Sequence, residues 1–351
     1  YSPATASKGL IQNCERIGVS MRKMKVAIIG GGGIANSHVG GYKNNSNAAE
    51  LVAVCDVNEE AAKAFAAKHG IPDVYSDVQK LLAQPEIEAV SICTPNFLHA
   101  PLSIQALEAG KNVLCEKPMA TTVTDAQKMK ATADSTGKVL YIGFNHRFIG
   151  KFHLAKTLLD GGEFGRLLVA RVAIGHNMYA RLDSTWFAQK DRSGGGTFID
   201  NGVHMIDMLR WYGGSITSVS GQAHGLKLKQ GDVEDNAIGL FTLGNGGMAS
   251  LQCSWTWPGG YSLLFHMICE NGTIDLSTND VIVQRTGSEE SETLTPPPMD
   301  AWSEEVKHFL AASRGEEAPF VRPDDGIEAV KVAVACYESS STGRTVQLAS
   351  L

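Results

Sequence analysis

The sequence predicts an α/β protein: an N-terminal doubly wound parallel sheet, then a C-terminal α+β domain with a mostly antiparallel open sheet. Three observations carry this. Short apolar runs alternate with helical segments from Lys25 to Phe144. The turn Gly30-Gly31-Gly32-Gly33-Ile34-Ala35 joins the first run to the first helix. After Arg147, strand-like runs follow one another with few helices between them, joined by Gly- and Asn-rich turns.

At 351 residues the chain has room for two domains, each with its own core. Hydrophobic residues make up 43% and charged residues 19%, an ordinary balance for a globular protein in water. A net charge of -6, without any Lys/Arg cluster, gives no footprint for nucleic acid. No apolar run approaches the roughly 20 residues that span a bilayer, so neither nucleic acid nor membrane is an expected partner. Seven cysteines lie far apart with no CxxC spacing, and Cys55, Cys93 and Cys115 sit in strand-like runs. Reduced, buried thiols in a cytoplasmic protein are the expectation. Residues 1–20 lack the apolar core of a signal peptide, and Met21 and Met24 stand just before the first strand. Residues 1–20 are therefore read as an N-terminal extension outside the fold.

Lys25–Gly30 is a short, branched apolar run, the pattern of a buried parallel strand. A helix runs from the glycine turn to about Tyr42, and Glu50–Asp56 is the second strand. Asn58 caps a helix over Glu59–His69, which Gly70 ends. A short strand lies around Val74, and Ser76 caps a helix over Asp77–Ala83. Ile87–Thr94 is the next strand, His99–Ala109 the next helix and Lys111–Glu116 the fifth strand. A helix over Thr124–Thr136 and a strand over Lys138–Phe144 complete six strands separated by five helices.

Gly30, Gly32 and Ala35 fit G-x-G-x-x-A, with Gly33 and Ile34 completing the turn. The first glycine permits the tight turn, the second lets a pyrophosphate approach the backbone, and a small third residue lets helix meet strand. Free N–H groups at the helix start then face the anion. Poly-glycine turns are common, so the pattern gains weight from its place between strand and helix, and from Asp56 at the end of strand two. Asp56 is placed to hydrogen-bond ribose hydroxyls. Val57-Asn58-Glu59-Glu60 follows without Arg or Lys, so a 2′-phosphate meets repulsion and NAD is favoured over NADP. Ligands in such sheets bind beyond the carboxyl ends of the strands. Thr94, Pro95, Asn96 and His99 follow strand four, and Glu116-Lys117-Pro118 follows strand five. Pro118 biases Lys117 toward an extended backbone, which lets its side chain project into the cleft. The plainer reading of Glu116 and Lys117 is a surface ion pair.

Beyond Arg147, His153–Leu159 reads as a helix ended by Asp160-Gly161-Gly162, and Leu167–Ile174 as a strand. Ile216–His224, Ala237–Leu243, Met248–Thr256, Leu263–Cys269 and Val281–Gln284 read as further strands. One face of such a sheet packs on helices, and the other carries enough apolar residues for a second subunit to cover it. Gly287–Met299, with Pro296-Pro297-Pro298, reads as an irregular arm, and helices follow at Trp302–Ser313 and Asp325–Ser339.

Gly194-Gly195-Gly196 allows an unusual backbone path or the close approach of another group. A helix begins near Asp200, and Asp200, His204, Asp207 and Trp211 fall in one stripe at helical spacing. A carboxylate one turn before an imidazole can orient it and raise its proton affinity. The plainer alternative is a structural cap beside a satisfied histidine. A metal at Asp200 and His204 needs a further ligand, and His146, His153 and His176 are available only on paper. Arg147 sits where the two halves join, where it reaches substrate or cofactor or forms an interface salt bridge. Tyr179, Arg181, Asp183 and Trp186 precede the glycines in a loop suited to sugar stacking and hydroxyl bonding, or to packing.

Together these motifs resemble the Gfo/Idh/MocA oxidoreductase family, which includes inositol dehydrogenases and glucose-fructose oxidoreductase. Six appear in the family's order: GGGGIA, CDVN, TPNFLH, LCEKPMA, GFNHRF and GGGTFIDNGVHMIDMLRW. The resemblance covers almost the whole chain from Lys25. It implies a Rossmann domain over 21–146 and a substrate-binding and oligomerisation domain over 147–351, its open sheet buried in a homodimer or homotetramer. Lys117, Asp200 and His204 would be the catalytic set. Gly30, Gly32, Gly33, Ile34, Ala35, Asp56, Val57, Thr94, Pro95, Asn96, His99, Glu116 and Lys117 would surround the NAD cofactor. Arg147, Tyr179, Trp186, Asp200 and His204 would contact a sugar or polyol substrate. Many members carry Arg after the tryptophan that precedes the triple glycine; here Phe187 follows Trp186, which removes a charged contact there.

The implied reaction interconverts a secondary alcohol and a ketone on a sugar, sugar derivative or cyclitol. Oxidising CH–OH takes a hydride from carbon and a proton from oxygen. Imidazole is the best-matched base near neutral pH, which gives the proton to His204, with Asp200 orienting it or holding a neighbouring hydroxyl. Lys117 then hydrogen-bonds the reacting oxygen; the reverse assignment, with Lys117 as base, stays open. Two other functions fit the fold: a glycosidase that uses bound NAD transiently, and a non-catalytic dinucleotide-sensing regulator. Such regulators tend to lose the lysine and histidine, and this chain keeps Lys117 and His204.

Overall fold

A computed structural model describes residues 22–178, 182, 185–228 and 231–350. The first sheet holds β1 (Met24–Ile29), β2 (Ala49–Cys55), β3 (Asp73–Tyr75), β4 (Ala89–Ile92), β5 (Asn112–Glu116) and β6 (Leu140–Gly143). All neighbours run parallel, in the order β3-β2-β1-β4-β5-β6. The connecting helices are α1 (Ala35–Asn44), α2 (Glu59–His69), α3 (Val78–Leu82), α4 (His99–Glu108) and α5 (Val123–Thr136). Val26, Ala27 and Ile28 of β1 are fully shielded, as a strand covered on both faces requires. Burying one such Val or Ile side chain contributes about 1.5–3 kcal/mol. The strand order reverses between β1 and β4, which opens a crevice at their carboxyl ends.

The doubly wound architecture is the one expected, and local signals held where short-range chemistry decides. Asn58 caps α2 by accepting the Ala61 N–H, and Gly70 ends it in the left-handed conformation. The cap of α3 is a correction. Asp77, rather than Ser76, accepts the Gln79 N–H, so the helix begins one residue later than expected.

The second sheet has nine strands: β7 (Leu167–Gly175), β8 (Ile216–His224), β9 (Asn236–Leu243), β10 (Met248–Ser254), β11 (Ser262–Cys269), β12 (Gly272–Asp275), β13 (Val281–Arg285), β14 (Glu292–Leu294) and β15 (Val346–Gln347). Their order is β14-β13-β12-β11-β7-β10-β9-β8-β15, and only β7 and β10 pair in parallel. Strands β12, β14 and β15 are too short to leave a period in the sequence. β14 lies within the arm expected to be irregular. The longer of the remaining helices are α6 (Gly150–Asp160), α7 (Val203–Gly213), α8 (Ala301–Ser313) and α9 (Pro323–Thr342). α7 and α9 pack on the second sheet, while α8 returns to α1 and α9 also lies on α5. The last helices thus tie the second half to the first. The six described cysteines are buried and unpaired, and no described helix is long and apolar enough to cross a membrane.

Candidate active site

The crevice beyond β1 and β4 is a cleft of about 880 Å³, lined by Gly30, Gly32, Gly33, Ile34, Asp56, Val57, Thr94 and Pro95 among others. That volume lies within the usual range for ligand sites. Gly30 has a φ of +96°, and a Cβ there would stand 2.6 Å from the Cys93 carbonyl oxygen, so the tight turn requires glycine. No atom lies within 4 Å of a Cβ position on Gly32 or Gly33, which leaves that backbone open to a pyrophosphate. Asp56 pins the turn, its Oδ2 accepting the Gly31 N–H at 2.9 Å and its Oδ1 the Asn58 N–H. Ala35 is fully buried where α1 meets the sheet. These residues fit a dinucleotide.

Three residues expected around the cofactor are tied into the protein's own hydrogen bonds. Asn96 donates to the Ser193 carbonyl at 2.9 Å, tying the loop after β4 to the segment before the three glycines. His99 is buried between two carbonyl oxygens, Pro118 O at 2.7 Å and Thr94 O at 2.9 Å, and so braces the loops after β4 and β5. Glu116 ends β5 with its carboxylate on His38 Nε2 (2.8 Å) and the Lys117 N–H. His38 Nδ1 meets Ser91 Oγ, which also meets the Tyr42 hydroxyl. This buried chain anchors Glu116, and a lone histidine inside α1 gave no sequence signal for it.

Lys117 and Asp200 meet across 83 residues of sequence. Lys117 Nζ donates to Asp200 Oδ1 at 2.8 Å and to the Asp200 carbonyl at 3.0 Å, with both side chains mostly shielded. Of the two readings open for Glu116 and Lys117, the surface pair is excluded. One expectation is corrected: the Asp200 carboxylate is directed to Lys117 rather than to His204. The reason is local. Phe198–Gly202 forms a π-helical turn, and the α-helix begins only at Val203, so Asp200 and His204 do not stand one regular turn apart.

His204 is 8% exposed, and its Nδ1 is buried without a hydrogen-bond partner. Its ring packs edge-on to Phe144 and lies 4.0 Å, centroid to centroid, from the ring of His146. Burial, then His146 and Lys117, hold the His204 imidazole well below its ordinary range, so it is neutral. Burial, then Lys117 and Lys151, push His146 down to about 3. His146 Nδ1 meets Asn145 Oδ1 at 3.0 Å, and its Nε2 lies 3.5 Å from the Tyr261 hydroxyl. In the sequence His146 stands out only as a candidate metal ligand, and Tyr261 carries no signal. Among the described residues no group of three or more His, Cys, Asp or Glu is placed to hold a metal ion.

The rest of the expected stripe is structural. Asp207 accepts Arg147 Nε at 2.9 Å and Nη2 at 2.6 Å, while Asp325 lies 3.2 Å from the same Nη2. Arg147 is 5% exposed, so it is a buried interface ion pair rather than a substrate contact. Arg147→Met should cost about 3–5 kcal/mol of stability by stranding the buried Asp207 carboxylate, measured by chemical denaturation; Asp325 keeps Arg210 at 3.6 Å. A raised KM at unchanged stability would return Arg147 to the substrate. Trp186 stacks on Phe187 at 3.8 Å, and both line the cofactor-sized cleft, on the dinucleotide side of the site. Tyr179, Arg181 and Asp183 lie outside the described residues. The three glycines make room for protein: a Cβ on Gly195 would stand 2.3 Å from the Tyr337 hydroxyl, and one on Gly196 1.7 Å from the Glu234 carbonyl oxygen.

Residues 24–144 match the family model described as "Oxidoreductase family, NAD-binding Rossmann fold", and residues 152–275 match the "GFO/IDH/MocA C-terminal domain". The chain is 29% identical over 357 residues to D-glucoside 3-dehydrogenase of Escherichia coli K12, covering 93% of this chain and 97% of that protein. It is also 29% identical over 341 residues to scyllo-inositol 2-dehydrogenase (NAD(+)) of Bacillus subtilis, covering 93% and 96%. A solved structure of levoglucosan dehydrogenase with NADH and L-sorbose superposes with a TM-score of 0.87 at 25% identity, covering 93% of this chain and 99% of that one.

Proposed function

The chain belongs to the Gfo/Idh/MocA family of NAD-binding oxidoreductases, and from that premise we propose that it interconverts a secondary alcohol and a ketone on a sugar, sugar derivative or cyclitol, with Lys117, Asp200 and His204 handling the proton. The observation that carries the reading is the Lys117–Asp200 contact. It brings a cation from the end of β5 to the start of the segment that holds a neutral, buried His204. The relatives named sugar and inositol dehydrogenases support the substrate class.

When bound, the nicotinamide supplies the hydride acceptor. His204 takes the hydroxyl proton, for which a neutral imidazole is required. Lys117 carries three N–H donors; two go to Asp200, and the third serves the reacting oxygen as negative charge develops. Asp200 holds that ammonium in place. Asp56, followed by Val57 at 92% exposure and by no cation before Lys63, supports NAD over NADP. The exposed Ile238, Leu240, Met248 and Leu264 on the outer face of the second sheet support burial against a second copy; light scattering that gives a monomer contradicts this part.

A neutral His204 also fixes a pH dependence. Its imidazole lies well below 6.5, so kcat/KM for oxidation should stay level as pH falls through 6.5 and decline only below it. An acid limb at or above pH 7 contradicts His204 as the base.

The function itself is tested by absorbance at 340 nm with NAD and a panel of inositols, free sugars and glycosides. NADH formation with a free sugar or cyclitol is expected. Aglycone release without net NADH, or tight NADH binding with no turnover of any compound, contradicts it.

A further inference from the structure

The segment that carries Asp200 and His204 begins with four backbone N–H groups that a helix start leaves without partners of its own. All four are taken up by two distant residues. Gly196 N–H donates to Glu234 Oε2 at 2.7 Å, Phe198 N–H to Glu234 Oε1 at 2.8 Å, and Thr197 N–H to the Glu234 carbonyl at 3.2 Å. Ile199 N–H donates to the Tyr337 hydroxyl at 3.2 Å, and that hydroxyl donates to Glu234 Oε1 at 2.9 Å. The Glu234 carboxylate, in a residue 7% exposed, thus accepts three hydrogen bonds at a helix start, where negative charge is favoured.

The contact is close enough to dictate sequence. Gly195 and Gly196 each abut one member of the pair so tightly that no side chain fits. Neither Glu234 nor Tyr337 lines the cofactor cleft; both line a separate hollow of about 500 Å³ that Gly195 also lines. The turn then passes position on directly, because the Gly196 carbonyl accepts the Asp200 N–H at 3.1 Å.

We propose that Glu234 and Tyr337 are positioning residues for the oxidoreductase reaction: they fix the Gly-Gly-Gly turn, and through it the placement of Asp200 on Lys117 and of His204 beyond it. This rests on the proton-handling reading of those three residues. Glu234→Gln puts an amide donor where the carboxylate accepts N–H groups. Tyr337→Phe removes only the hydroxyl and preserves the packing ring, so it separates position from folding.

The test has two arms on the full chain. In the first, kcat and KM are measured with the best sugar of the panel, and NADH affinity by fluorescence. Tyr337→Phe should lower kcat about 10- to 100-fold, since about 1 Å of misplacement can cost 100-fold, with NADH affinity unchanged. The second arm needs no substrate. Acetylation of Lys117 by an amine-reactive ester, followed by mass spectrometry with the exposed Lys43 as reference, reads the Lys117–Asp200 contact. Tyr337→Phe and Glu234→Gln should each raise Lys117 labelling several-fold, toward the level of Asp200→Asn, at a melting temperature that excludes global unfolding. Parent-like labelling and kcat in Tyr337→Phe overturn the proposal, as does an Asp200→Asn that leaves Lys117 labelling unchanged. A parent that forms no NADH with any sugar defeats the proposed function, while the labelling arm still decides the role of the clamp.

Discussion

Lys117→Met lowers kcat for sugar oxidation by about 10²- to 10³-fold and leaves NADH affinity nearly unchanged, since removing one preorganised donor to a developing oxyanion costs that much. Methionine preserves the length and apolar stem of lysine and removes only the ammonium. The loss falls on the reacting oxygen because the dinucleotide cleft is built from other residues. Removing the ammonium also leaves the Asp200 carboxylate, at 14% side-chain exposure, without its ion partner, so some loss of thermal stability accompanies the kinetic effect. Steady-state kinetics and NADH fluorescence titration check both statements. Near-normal turnover would place the reacting oxygen elsewhere.

His204→Ala lowers kcat/KM for oxidation by about 10²- to 10⁴-fold, the usual contribution of a positioned base, and added imidazole restores part of the rate. The ring leaves a buried gap beside His146 and Phe144 that a free imidazole can enter. Chemical rescue distinguishes a lost base from a lost packing group, because packing loss is indifferent to the basicity of what refills the space. If Lys117→Met abolishes turnover while His204→Ala keeps it, Lys117 is the base.

Much of this was legible in the chain. The six parallel strands announced themselves because a buried parallel strand must be a short apolar run, as in Val26–Ile29, and because Asn58 and Gly70 act on their immediate neighbours. Strands β12, β14 and β15 were not legible, being too short to show alternation. In the candidate site, the residue types were visible but not their pairing. Spacing set Asp200 against His204; a π-helical turn and an ammonium 83 residues away set it against Lys117. Arg147 and Asp207 each looked functional alone, and only their contact, with Asp325 beside it, makes them a buried strut. His38, Glu234 and Tyr337 gave no local signal, since their work is done on backbone and side chains far away in sequence.

The central claim is that Lys117 and His204 converge on one substrate oxygen. A crystal structure with NADH and the sugar that the panel identifies tests it most directly. One sugar oxygen is expected within hydrogen-bond distance of both Lys117 Nζ and a ring nitrogen of His204. A sugar bound in the cleft with no oxygen shared by the two would contradict it.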